Sequence, residues 1–267
     1  MSLLTDSDLP PFEIYNPGSD FPVVFVCDHA GRAFPENLNR LGLDDWVLDE
    51  HVAYDIGSGM VANFLADHFN ATLVANNYSR LVIDTNRYPD DPTICAPVSA
   101  GIAIPGNQEL TPAQREARFE AIYYPFHQAI EDELRRFTSA GSVPAIIAIH
   151  SCTPVFDRFV RPWHIGVLWD VDPRIPVPLM QLLEAREGVC IGDNEPYSGR
   201  DPHDYTIDHH GEGNALPHVS IEVRQDLIEH ETGARYWAAL LADALGSVLA
   251  DRTLFSYLPE KDRYSPI

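Results

Sequence analysis

The chain has 267 residues, with forty Asp and Glu against eighteen Lys and Arg, for a formal net charge of −22. That balance opposes binding to a phosphate backbone, which needs a basic stripe, so no nucleic-acid partner is expected. A hydrophobic fraction of 45% suits a globular protein. No run reaches the roughly 18 apolar residues of a membrane span, and residues 1–11 lack the basic start and apolar core of a signal segment. A cytoplasmic protein with no membrane partner is expected, folded as a single domain over residues 1–267. Cys27, Cys95, Cys152 and Cys190 are scattered without a C-x-x-C pair and read as free thiols.

After a Pro-rich lead-in, Phe21 to Cys27 is a continuous β-branched and aromatic run of the kind that forms a strand buried on both faces. The spacing of Met60, Val61, Phe64, Leu65 and Phe69 predicts a helix over Ile56 to Phe69. Short strands are predicted at Ala71 to Ala75 and Leu81 to Ile83. Tyr88 to Gln108, rich in Pro and Gly, reads as a long loop of the length that often carries function. Thr111-Pro112 supplies a hydroxyl cap and a first-turn proline for a helix running to about Phe137. Strands follow at Ala145 to Ile149, Ile165 to Trp169, Val189 to Ile191 and Val219 to Val223. Helices are predicted at Pro178 to Ala185 and Leu227 to Leu249, with a second long loop at Gly192 to Gly213. Alternating strands and helices predict an α/β fold with a mixed, mostly parallel sheet sandwiched between helices.

Four of the predicted strands run into polar groups: His29 after the first, Asn86-Arg87 after Leu81 to Ile83, His150 after AIIAI, and Glu222 with Arg224 in VSIEVR. In a parallel sheet such ends converge on one edge, the usual ligand-binding edge of open α/β sheets. The Arg87 guanidinium offers paired donors for a carboxylate, with the Asn86 amide beside it. Two neutral imidazoles and one carboxylate suit zinc and leave a position open for water. His29 and His150 are the nitrogen candidates and Asp55 the preferred carboxylate, with Asp28, Asp84 and His51 as alternatives. Asp55 also reads as a helix cap. Glu222, in an apolar strand, is either an ion-pair partner, Arg224 being its obvious neutraliser, or a functional acid/base. Cys27 and Cys152 lie beside the two histidines, so a nucleophilic thiol is a competing reading.

Taken in order, CDHAGRAFP, HVAYDIGSG, YSRLVIDTNR, AIHSCTP, DNEPYSG and LPHVSIEVRQDLI resemble the motifs of the N-formylglutamate amidohydrolase family, from about Val24 to Leu227. That family is similar in fold to the zinc-dependent carboxypeptidases and to aspartoacylase. The resemblance implies a zinc-exopeptidase-like α/β hydrolase that cleaves the N-acyl amide of a small acidic amino acid, N-formylglutamate being the prototype, with one Zn2+ per chain or another divalent transition metal in its place; the competing readings are a zinc carboxypeptidase or amidase acting on peptides or cell-wall fragments, and a non-catalytic small-acid binding protein on the same fold. It also implies His29, Asp55 and His150 as metal ligands, Glu222 as general base, Arg80 stabilising oxyanion charge, and Asn86 and Arg87 holding the carboxylate of a small-molecule substrate. Arg224 is expected to help bind that substrate. Arg200 is a further candidate for a local basic patch, and Asn194, Glu195, Tyr197 and His209 for lining the pocket. The carboxypeptidase-type metal motif has a glutamate three residues after its first histidine; Arg32 stands there in this chain.

Overall fold

Seven strands build one sheet: β1 (Phe12–Tyr15), β2 (Val23–Cys27), β3 (Thr72–Asn76), β4 (Ala145–Cys152), β5 (Ile165–Leu168), β6 (Ile191–Asp193) and β7 (His218–Arg224), in the spatial order β1-β3-β2-β4-β7-β5-β6. The four strands β3, β2, β4 and β7 run parallel. At one flank β1 is antiparallel to β3, and at the other β5 is antiparallel to β7 while β6 runs parallel to β5. The sheet is therefore mixed, with a parallel centre. This computed structural model describes residues 3–201 and 204–263, so the expected domain over 1–267 includes a few residues outside the described ones.

The continuous apolar runs of β2 and β4 follow from burial on both faces. Phe25, Ile147, Ile149 and Ile221 pack toward helices α1 (Ser58–Phe69), α4 (Pro176–Glu184) and α5 (Glu231–Leu249), numbered with α2 (Pro112–Arg118) and α3 (Tyr124–Ser139) between them. Val24, Val26, Ile146 and Ala148, of opposite parity, pack against Phe126, Ile130 and Phe137 of α3. Between α2 and α3, a π-helical turn spans Phe119–Tyr123. Pro125 sits in the first turn of α3 and has no N–H to donate, which accounts for the changed hydrogen-bond spacing there. Thr111 caps α2 through a reciprocal capping box with Gln114.

Two expectations are corrected. Phe12–Tyr15, in the Pro-rich lead-in, is an edge strand that the sequence reading did not identify. Leu81 to Ile83 is not a strand but a buried turn. Its backbone is satisfied by side chains instead of a neighbouring strand: Asn107 donates to the Leu81 carbonyl at 2.9 Å, Arg118 donates to the Val82 carbonyl at 2.7 Å, and the Leu81 N–H reaches Ser79 Oγ at 3.2 Å. A second apolar cluster, including Tyr78, Val82, Ile94 and Phe119, closes over this turn.

Candidate active site

At the carboxyl ends of the parallel strands a cavity of about 500 Å³ is lined by His29, Asp55, Arg80, Asp84, Asn86, Arg87, His150, Glu222 and the loop from Asn194 to Ser198. That volume lies in the usual range for small-ligand sites. Its inner wall is carried by strands. His150 and Glu222 face each other across the β4–β7 pairing, and His29 follows β2 by two residues. Asp55 is placed by its own backbone, its N–H bonding the His29 carbonyl at 3.0 Å and its carbonyl accepting from Ser58 N–H and Oγ. Gly57, with φ of 82°, occupies the cap position of α1, so the Asp55 carboxylate is free for other partners.

Those partners are the two histidines. Asp55 Oδ2 lies 3.3 Å from His29 Nδ1 and 3.1 Å from His150 Nδ1, with all three side chains buried. Ligand atoms about 2.0 to 2.1 Å from a tetrahedral metal stand about 3.3 Å apart, so this donor set has the chemistry and spacing to hold zinc. Each imidazole turns its other nitrogen to a second carboxylate: His29 Nε2 is 2.8 Å from Asp84 Oδ1, and His150 Nε2 is 3.5 Å from Asp28 Oδ2. Carboxylates behind metal-ligating histidines orient the ring and raise its basicity. The electrostatics agree. Burial opposes charge on His29 and His150, yet the surrounding carboxylates raise both pKa values; at Asp55, burial is outweighed by His29, His150 and Arg80, which hold the carboxyl below its usual range. So much negative charge in a buried place calls for a cation, which protons on the imidazoles or a divalent metal would supply.

Glu222 is 7% exposed, and its Oε2 is buried with no hydrogen-bond partner among the described residues. Burial pushes its carboxyl above the usual range. Arg224 does not neutralise it: that guanidinium bonds Asp226 at 2.8 Å and the Arg161 carbonyl at 3.0 Å, and does not line the cavity. Arg80 spans two carboxylates, donating to Asp55 Oδ1 at 3.1 Å and to Asp84 Oδ2 at 2.9 and 3.2 Å.

The outer wall is carried by loops. Asn86 Oδ1 accepts from Thr206 N–H at 2.9 Å, and Asn86 N–H donates to Asp84 Oδ1 at 3.0 Å. Among the described residues Arg87 is loosely held, no nearer than 3.7 Å to a carboxylate oxygen, and so keeps its donors available. Opposite it, the 194–200 loop packs against glycines. A Cβ on Gly166 would lie 2.2 Å from the Glu195 carbonyl oxygen, and one on Gly192 would lie 2.6 Å from the same atom. Only glycine permits that approach, which sets Tyr197 at the cavity with its hydroxyl 3.1 Å from Arg161.

The sequence model of N-formylglutamate amidohydrolase matches residues 21–229. The chain belongs to the N-formylglutamate amidohydrolase family. It is similar to the crystal structure of gene product Atu2144 from Agrobacterium tumefaciens, with 34% identity and a TM-score of 0.89 over 93% of this chain and 98% of that one. It shares its fold with an N-formylglutamate amidohydrolase from Ralstonia eutropha JMP134, at 19% identity and a TM-score of 0.62 over 92% and 99% of the two chains. No curated protein matches the sequence.

Within this N-formylglutamate amidohydrolase scaffold, His29, Asp55, His150, Glu222, Arg80, Asn86 and Arg87 share one cavity. Asn86 and Arg87 reach it from a buried turn and not from a strand end. Asn194, Glu195 and Tyr197 line the same cavity, whereas Arg200 and His209 line others. Of the alternative ligands, Asp28 and Asp84 stand behind the histidines, and His51 lies outside the lining. Cys27 and Cys152 are buried; burial raises the Cys27 thiol strongly and pushes Cys152 up to about 12, which disfavours a thiolate nucleophile. Sequence reasoning missed Asp201, Asp204 and Arg161, which sit on or behind loops with no periodic pattern to flag them. Among the described residues no helix is long and apolar enough to cross a membrane.

Proposed function

We propose that this amidohydrolase cleaves the amide between a small acyl group and an amino acid, with N-formylglutamate as prototype, and that His29, Asp55 and His150 hold one zinc ion or another divalent transition metal. The observation that carries this reading is the convergence on one cavity of a two-His, one-carboxylate cluster, a Glu222 carboxylate oxygen unpartnered among the described residues, and the loosely held guanidinium of Arg87. The metal, when bound, supplies Lewis acidity that polarises a carbonyl and eases deprotonation of water. Glu222 takes the proton of the attacking water and returns it to the departing nitrogen as the C–N bond breaks, releasing formate and the free amine. Arg87 and the Asn86 amide hold the substrate carboxylate and so fix the distance from that carboxylate to the scissile carbonyl. Arg80 places positive charge beside the reacting carbonyl while holding Asp55 and Asp84 in position.

Glu222→Gln is expected to retain metal and lose turnover by roughly 10²- to 10⁴-fold. Near-normal turnover would defeat the role given to Glu222. One observation favours a second reading of the substrate. Besides Arg80 and Arg87, the cavity is lined by Asp55, Asp84, Glu195, Asp201, Asp204 and Glu222. Arg80 is committed to two of these, which among the described lining residues leaves the loosely held Arg87 as the arginine for one carboxylate. An N-acyl amino acid with a single carboxylate, or the C-terminal end of a short peptide, also fits that charge pattern. Assaying N-formylglutamate against N-formyl amino acids with neutral and basic side chains and against short peptides, with and without a chelator, separates the two.

A further inference from the structure

Two further histidines are buried between α3 and the turn at Ile207–Gly211, away from the cavity described above. His127 Nε2 lies 2.8 Å from the Thr85 carbonyl oxygen, which only accepts, so that nitrogen carries the hydrogen. Both rings are buried, and among the described residues they bond only to each other and to that carbonyl, with no carboxylate to hold a second proton, so both are taken as neutral. His127 Nδ1 is therefore an acceptor, and His210 Nε2 donates to it at 2.9 Å. The chain of tautomers leaves a bare lone pair on His210 Nδ1, which is buried with no partner among the described residues. Burying such an acceptor unpaired is costly, and it is the type of atom that binds transition metals.

Two other donors gather beside the His210 ring. One ligand atom each from Glu131, His209 and His210 lies within 4.8 Å of the other two, and His209 Nε2 is 3.7 Å from Glu131 Oε1. The His209 ring is stacked on Tyr205 at 4.9 Å, and the other oxygen of Glu131 is 3.5 Å from Arg135. Drawing the donors to the roughly 3.3 Å separation of a metal shell asks for small rotations of the exposed His209 and Glu131 side chains. We propose that Glu131, His209 and His210 form a second divalent transition-metal site, separate from the His29 cluster, with His210 binding through Nδ1. Two neutral imidazoles and a carboxylate select Zn²⁺, Co²⁺ or Ni²⁺ over Mg²⁺ and Ca²⁺. His127 is the partner that orients the buried ligand, and through Thr85 it ties the site to the segment bearing Asn86 and Arg87. A metal here pins α3 to the 207–211 turn.

The test is Zn²⁺ uptake by the full-length protein, stripped with chelator, reloaded and measured by elemental analysis after gel filtration. Wild type is expected to take up about one equivalent more than the Glu131→Gln/His209→Ala double variant, excess Mg²⁺ leaving the difference unchanged. The double variant alters no residue of the catalytic cavity, so its turnover should match wild type. His150→Ala isolates the second site and is expected to keep that equivalent. Equal uptake by wild type and the double variant, or displacement by Mg²⁺, would overturn the second site without bearing on the His29 cluster.

Discussion

The two walls of the cavity are built differently. His150 and Glu222 sit on neighbouring parallel strands, in direct register, with every β4 residue buried. Asn86, Arg87 and Tyr197 sit on irregular segments whose shape depends on distant groups: Asn107 and Arg118 under one, Gly166 and Gly192 under the other. The strand wall holds its groups to the tolerance of a packed core, as bond-making chemistry requires. The loop wall holds the groups that would read the substrate, where variation alters specificity without dismantling the sheet.

If that division is right, damage to the two walls should differ in kind. The largest effect is expected from His150→Ala, which should abolish metal binding at the His29 cluster and reduce turnover by about 10⁴-fold or more; a variant with full metal content at that cluster and good turnover would remove His150 from the set. Arg87→Ala should act mainly on KM, raising it roughly 10- to 100-fold through loss of one charge-assisted pair, with kcat much less affected. A fall in kcat with unchanged KM would move Arg87 to the chemical wall. Gly166→Ala forces the Glu195 carbonyl away and should lower kcat/KM about tenfold at a stability cost of about 1–3 kcal/mol, read from activity and denaturant melts. Smallest are Cys27→Ala and Cys152→Ala, expected to keep turnover within about twofold because neither thiol takes part; a collapse in turnover with the fold intact would revive the thiol mechanism.

The same division explains what the sequence made legible. The apolar runs ending at His29, His150 and Glu222 could be read because burial on both faces imposes a continuous hydrophobic pattern, and a polar residue breaks it visibly. Leu81 to Ile83 shows the limit. Three consecutive apolar residues fit a strand or a buried turn equally well, and the choice is made by Asn107 and Arg118, which lie 26 and 36 residues from the carbonyls they satisfy. Arg224 fails for a different reason. Its spacing of two from Glu222 is right for a shared strand face, but Asp226 draws the guanidinium elsewhere at the strand's end. Family likeness and a position before a helix point to Asp55; its bridging of two imidazoles is visible only once β2 and β4 lie side by side.

The parity of the central strands has a consequence for how such a chain can change over time. His150 and Glu222 share parity with Ile146, Ala148 and Ser220, whereas Ile147, Ile149 and Ile221 point to the other layer. Inserting or deleting one codon within β4 would turn His150 away from Glu222 and exchange the two apolar layers in the same event. Folding and chemistry therefore veto the same length changes there, while the segments around residues 88–110 and 192–213 carry no such alternating pattern. Lineages descended from this scaffold should accumulate their insertions in those segments and keep the interior of β4 and β7 at constant length.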